Sequence, residues 1–274
     1  MRHPTAIIHP GAQVDPSAEV GPFAVIEDGV VVGPQCRLWP YVHLSGLTTI
    51  GDGNQFHTGC VIGNIPQDLK FKGDPSRLRI GDKNTFRENV TVNRSTSSEG
   101  ETVIGSNNLL MAGAHVGHDC RVGNHTIIVN GALLGGHVEV GDRAVISGNC
   151  CVHQFVRVGT LAMMQGGAAV SKDLPPYTLA RGDNHLAGLN TIGLRRAGLT
   201  SEQRLELRQL FHLLFRSGKV LREAVEEARG RFKSPVAKVL IDFAATNQRG
   251  LCAADGLGRT GRASGAAEEE GGEP

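Results

Sequence analysis

Residues 8–43 read IHPGAQ VDPSAE VGPFAV IEDGVV VGPQCR LWPYVH, hexads whose first place is always a large apolar residue. Stepping by six from Ile8 gives Val14, Val20, Ile26, Val32, Leu38, Leu44, Ile50, Phe56 and Ile62 without a miss. The phase resumes at Ile80, Phe86 and Val92 and runs from Ile104 through Val116, Leu134 and Val152 to Val170. On that grid only Asp68, Asp74 and Ser98 are not large and apolar. Four residues after the ladder position, a second register is small or β-branched, as at Ala18, Ala24, Val30, Cys36, Cys60, Ala114, Cys120, Ala132 and Cys150. A period of six is neither the 3.6 of a helix nor the 2 of an ordinary strand. It fits a short strand plus a turn, with both registers buried in every repeat.

Because the phase survives both interruptions, residues 64–79 and 94–102 read as segments looped out of one unbroken coil, and such loops commonly carry function. After Pro175-Pro176 the pattern changes. Leu205, Leu207, Leu210, Leu213 and Leu214 recur at helical spacing behind a good start at Thr200, Gly218 ends that helix, a second covers roughly 219–231, and Ser234-Pro235 opens a third. Residues 1–190 are therefore expected to form the repeat domain and 191–251 a small helical domain. Residues 252–274, rich in Gly, Ala and Glu, are expected to be a disordered tail.

The 274 residues are 40% hydrophobic with no apolar run of membrane-spanning length, and no leader pattern opens the chain, so a cytoplasmic protein without a membrane span is expected. Six cysteines without a C-x-x-C pair read as reduced thiols. The formal charge is only +1, yet residues 195–238 hold eleven Lys and Arg against five Glu. That basic face suits an acidic protein partner.

The ladder resembles the hexapeptide-repeat family, whose members wind three hexads per coil into a left-handed triangular prism. The resemblance implies an all-β left-handed parallel β-helix with a small C-terminal α-helical domain, and the left hand comes from the family. If three hexads make a coil, residues eighteen apart stack at about 4.8 Å. His118, Gly136 and Gln154 then share one corner column, Asp119, His137 and Phe155 the next, while His115 and His153 point outward beside them.

Those residues, with Pro66-Gln67-Asp68-Leu69-Lys70, Thr91-Val92-Asn93-Arg94, Asn108-Leu109-Leu110-Met111 and Gly188-Leu189-Asn190, resemble the UDP-N-acetylglucosamine O-acyltransferase family over nearly the whole chain to Leu251. The resemblance implies transfer of a 3-hydroxyacyl chain from acyl carrier protein to the sugar of UDP-N-acetylglucosamine, the first step of lipid A synthesis, in a homotrimer whose site lies between adjacent prisms. No metal, cofactor or nucleic acid is implied. Acylating a sugar hydroxyl with a thioester needs a base and a donor for the oxyanion. His118 is the natural base, Asp119 can fix its tautomer, and by resemblance the Gly136 backbone N–H is the oxyanion donor. The resemblance further puts His115, His137, His153 and Gln154 against substrate, Gln67, Asp68 and Lys70 on the sugar, Asn190, Arg195 and Arg196 at the nucleotide, and Gly166 where the depth of the acyl groove is limited. A glycine at 166 goes with longer chains. Two departures from the family's pattern stand out: Asn93 where several members have histidine, and Ala197 where a further arginine is common.

Three other readings share these residues. A zinc-dependent, carbonic-anhydrase-like β-helix would draw three imidazoles from His115, His118 and His137. A paralogue acting on a later glucosamine intermediate would carry a sizeable domain before its ladder, and here the ladder starts at Ile8. A purely structural β-helix leaves the histidine cluster and both inserts unexplained. Cys120, beside the base, invites a covalent acyl-enzyme, but it shares the small-residue register with Cys36, Cys60 and Cys150 and reads as core.

Overall fold

The structure, a computed structural model, describes residues 1–254. Three parallel sheets form the walls of a left-handed prism. Face 1 holds nine strands from Ile7–Ile8 to Ala169–Val170, and face 2 eight from Gln13–Val14 to Arg157–Val158. Face 3 holds eleven, its β-helical part running from Glu19–Val20 to Met163–Met164. The hexad dictates this shape. Ile26, Leu44, Val116 and Leu134 point inward and are at most 1% exposed, each burial contributing about 1.5–3 kcal/mol. The small register, including Ala24, Cys36, Ala114 and Cys120, is fully buried at the corners, where a longer side chain would displace the ladder. Between the two, the chain turns through a left-handed residue: Asp119, His137 and Phe155 have φ of 59°, 59° and 64°.

Ile7 pairs with Val25 and His115 with Leu133, eighteen residues on, as three hexads per coil require. Across the inserts the spacing grows. Val61 pairs with Thr91, thirty residues on, and Thr91 with His115, twenty-four on, so the inserts add twelve and six residues. Both are whole hexads, which is why the grid kept its phase through them. Their edges are drawn into longer strands, Leu47–Ile50, Val61–Asn64, Arg77–Ile80 and Glu101–Ile104. The looped-out parts are therefore residues 65–76 and 94–100, narrower than expected.

Among the polar residues of the small register, Asn54, Asn84, Asn108 and Thr126 are all buried. They form their own ladder. The Asn84 backbone N–H donates to Asn54 Oδ1 (2.9 Å), the Asn108 N–H to Asn84 Oδ1 (2.9 Å) and the Thr126 N–H to Asn108 Oδ1 (2.7 Å). A buried amide stays cheap only while it is paired in this way.

After the last coil the chain makes an antiparallel pair, Thr178–Arg181 with His185–Leu189, laid onto Met163–Met164. Four helices follow: α1 Thr191–Arg196, α2 Ser201–Phe215, α3 Leu221–Arg231 and α4 Pro235–Ala245. Thr200 starts α2 with a capping box to Gln203 and Ser234 caps α4 ahead of Pro235, both as the sequence suggests. The strand pair and α1 were not expected. Nor was the return of residues 252–254: Cys252 is 1% exposed and Ala253–Ala254 pairs with His185 and Leu186. The expected tail is thus ordered at its start, and residues 255–274 lie outside the described residues. Among the described residues no helix is long and apolar enough to cross a membrane.

Candidate active site

A cleft of about 1040 Å³ runs along the outer side of face 1 and ends at the corner where faces 1 and 2 meet. Gln67, His115, His118, Gly136, His153 and Gln154 all line it. A second cleft, about 570 Å³, approaches the same corner from face 2 and is lined by Asp119, His137, Arg121 and Arg157.

At the corner, His118 and Asp119 are each 12% exposed at the side chain, and His118 Nδ1 lies 2.9 Å from Asp119 Oδ2. A carboxylate can only accept, so Nδ1 carries the proton and Nε2 keeps its lone pair. One coil on, Gly136 lies directly against this ring: a Cβ at 136 would stand 2.5 Å from His118 Nε2 and 3.0 Å from Nδ1. Only glycine leaves room for the imidazole. The Gly136 amide donates to no acceptor among the described residues. His137 meets His118 edge-on, centroids 5.2 Å apart, and stacks on Phe155 at 4.4 Å.

Asp119 is held from below by the second insert. Ser95 Oγ donates to its Oδ1, while Thr96 Oγ1 (2.8 Å) and the Thr96 N–H (3.2 Å) donate to Oδ2. Burial by itself would raise the Asp119 pKa, but the hydrogen bonds from Ser95, His118 and Thr96 outweigh it and hold the carboxyl below its ordinary value. Burial, with the neighbouring His118, pushes the His115 pKa down, and its Nδ1 is 2.7 Å from Thr91 Oγ1. His115 is therefore a neutral hydrogen-bonding group facing the cleft.

The remaining expected contacts lie elsewhere in this chain. Asp68 closes a turn by accepting the Lys70 N–H (2.8 Å), with Lys70 exposed on the first insert. Asn190 is buried: its Oδ1 caps α1 by accepting the Gly193 N–H (3.0 Å) and its Nδ2 donates to Leu161 O (2.9 Å). Arg195 and Arg196 are exposed at the end of α1, and Gly166 is exposed at the corner between faces 3 and 1. The three-imidazole zinc set is not gathered. The ligand atoms that do converge are those of His118, Asp119 and His137, and His118 Nδ1 is already occupied by Asp119. The Cys120 thiol is buried, its pKa pushed up to about 12 by that burial, and it donates to Gly135 O (3.1 Å). It is core, as are Cys36, Cys60 and Cys150.

Prism, corner histidines and an imidazole packed on a glycine define a transferase of the hexapeptide class, and the family model described as bacterial transferase hexapeptide (six repeats) matches residues 101–136. A second, described as UDP N-acetylglucosamine O-acyltransferase, domain 2, matches residues 173–252. The acyl-[acyl-carrier-protein]–UDP-N-acetylglucosamine O-acyltransferase of Akkermansia muciniphila is 47% identical over 254 residues, covering 91% of this chain and 98% of that protein. Its counterpart in Thermodesulfovibrio yellowstonii is 41% identical over 253 residues at the same coverage. The solved UDP-N-acetylglucosamine acyltransferase of Francisella novicida superposes with a TM-score of 0.90 at 37% identity, covering 93% of this chain and 94% of that one. The chain belongs to the UDP-N-acetylglucosamine O-acyltransferase family.

Proposed function

We propose that the protein moves a 3-hydroxyacyl chain from acyl carrier protein to the 3-position of UDP-N-acetylglucosamine, the opening step of lipid A synthesis, in the cytoplasm. The observation that carries this reading is the His118–Asp119 pair lying against Gly136 at the end of the large cleft. His118 Nε2 takes the proton of the acceptor hydroxyl as its oxygen attacks the thioester carbonyl. The Gly136 N–H donates to the resulting oxyanion. Collapse expels the carrier's thiol sulfur, which receives the proton back from His118, so the base is regenerated. Asp119 stabilises the imidazolium throughout.

His115, His137, His153, Gln154 and Gln67 contact the bound substrate in this reading. Asp68 and Lys70 hold the sugar, and Arg195 and Arg196 approach the nucleotide from a neighbouring subunit, on a helix that Asn190 caps. A homotrimer is supported by the outer surface. The outward column of face 3 reads Leu109, Ile127, Val145 and Met163, while face 2 presents Arg121, Glu139 and Arg157 at equivalent strand positions. Leu133 stands 46% exposed on face 1. An apolar outer column on face 3, with an exposed leucine on face 1, fits a head-to-tail ring that closes on a threefold axis. The basic helical surface suits the acidic carrier. The test is incubation with UDP-N-acetylglucosamine and 3-hydroxyacyl carrier proteins of several lengths, read by mass spectrometry. A mono-acylated nucleotide sugar is expected, and no acylated product with any donor refutes the reading.

A further inference from the structure

The second insert packs under the catalytic corner, and its contacts converge on one residue. Ser95, fully buried, donates its hydroxyl to Asp119 Oδ1, and Thr96 donates both its hydroxyl and its backbone N–H to Oδ2. From the same strand-loop region, Thr102 Oγ1 accepts the Asp119 N–H at 2.8 Å, pinning a backbone whose φ is 59°. Gly100 completes the grip: a Cβ there would collide with Ser95 Oγ and stand 3.2 Å from Asp119 Oδ1. A carboxylate held on both oxygens by fixed donors loses its rotational freedom. In that fixed orientation the oxygen 2.9 Å from His118 Nδ1 is Oδ2, the one that Thr96 also grips.

We propose that Ser95 and Thr96 are positioning residues of the transfer reaction, fixing Asp119 so that its Oδ2 faces His118 Nδ1 and the lone pair of His118 Nε2 stays in the cleft. This rests on the reading of His118 as the base. Their hydroxyls touch neither substrate nor the reacting atoms; they act through Asp119. The charged and titratable groups around the pair are His115 on the adjoining strand, His137 with Nε2 3.6 Å from Asp119 Oδ2, and Glu101, Arg121, Glu139, Arg157, Asp173 and Arg249 along the second cleft. All stay unchanged in the variants below.

The test compares Thr96→Val, Thr96→Ser and Gly100→Ala with the parent and with His118→Ala, following kcat, KM for UDP-N-acetylglucosamine and the pH profile of kcat/KM. For Thr96→Val, kcat is expected to fall on the order of tenfold, the weight of one charge-assisted hydrogen bond, with KM changed by less than about twofold. The acid limb of kcat/KM should move to higher pH, because a carboxylate with one donor fewer holds the imidazolium more strongly. Thr96→Ser should behave as the parent. Gly100→Ala, which disturbs Ser95 without removing a hydroxyl, should repeat the valine phenotype. Parent-like kcat and an unmoved acid limb in Thr96→Val, alongside an inactive His118→Ala, overturn the proposal and leave the base assignment standing. A loss of activity that serine fails to restore, or a limb that stays put, overturns it equally. An active His118→Ala refutes the underlying reading and this proposal with it.

Discussion

Replacing Gly136 by alanine adds one methyl group where the structure has an imidazole. The new Cβ would stand 2.5 Å from His118 Nε2 and 3.0 Å from Nδ1, whereas carbon atoms in ordinary contact sit at about 3.5 Å. The ring must retreat by about 1 Å, and a displacement of that size at a reacting group costs on the order of a hundredfold in rate. The fold is not strained by the change: φ at 136 is not in the left-handed region, and the glycine N–H remains to serve as oxyanion donor. We expect kcat for Gly136→Ala to fall about a hundredfold with the thermal midpoint nearly unchanged. The double variant Gly136→Ala/His118→Ala should be no worse than His118→Ala alone, since both act on one group. Steady-state kinetics with saturating acyl donor measures all three. An alanine enzyme retaining most of the parent's kcat, or strict additivity in the double variant, refutes the argument that Gly136 is needed for the placement of His118.

Asp119→Asn tests linkage. The folded carboxyl titrates below its ordinary value, so its contribution to stability is full above the unfolded pKa, near ~3.9, and is lost as pH falls through the lower folded one; the gap in urea midpoint between parent and variant should hold from neutral pH to about 5 and close only in strong acid. A gap independent of pH sinks that assignment. Arg196→Ala is expected to raise KM for the nucleotide sugar with little change in kcat, because a phosphate contact holds ground and transition states alike, and an unchanged KM would move the role to Arg195. For Gly166→Met, a Cβ at 166 meets only Gly148 O at 3.6 Å, so the fold accepts the side chain. Preference should shift toward shorter donors by about 0.8 kcal/mol per excluded methylene, and an active variant with the parent's chain preference removes Gly166 from the acyl groove.

The ladder was legible because a buried column with a fixed period is a one-dimensional signal, and any residue that breaks it stands out. His118, Gly136 and Gln154 fell into one column for the same reason: no insert separates them. The support beneath Asp119 was hidden by arithmetic. Between Thr91 and His115 the spacing is twenty-four, not eighteen, so the residue one coil below Asp119 is Ser95 rather than Glu101. A Ser-Thr-Ser-Ser run offers hydroxyl donors without saying where they aim. Asn190 illustrates the reverse. Its place in a family motif suggests a ligand contact, while in this chain its side chain is engaged in capping α1 and bonding Leu161. The strand pair at Thr178–Leu189 and the return of Ala253–Ala254 depend on contacts distant in sequence, for which no periodicity exists to read.

Backbone strain does not mark the candidate corner. Asp119, His137 and Phe155 are left-handed, but so are Phe23, Tyr41, Gln35 and Arg143 at other corners, and Phe23 and Tyr41 even stack like His137 and Phe155, at 5.3 Å. Most hexads place a left-handed residue three places after the ladder residue, and where that residue is not glycine the corner bears a conformational cost of about 1–2 kcal/mol as the price of the coil. What distinguishes the corner at His118 is that a whole-hexad insert is folded against it. Because the insert loops out of the wall, the strands on either side pair as before and Val116 and Leu134 stay buried. The loop is left free to bring hydroxyls around a carboxylate. The same geometry predicts where the family fold can gain chemistry: in segments looped out beside a corner, with the ladder untouched.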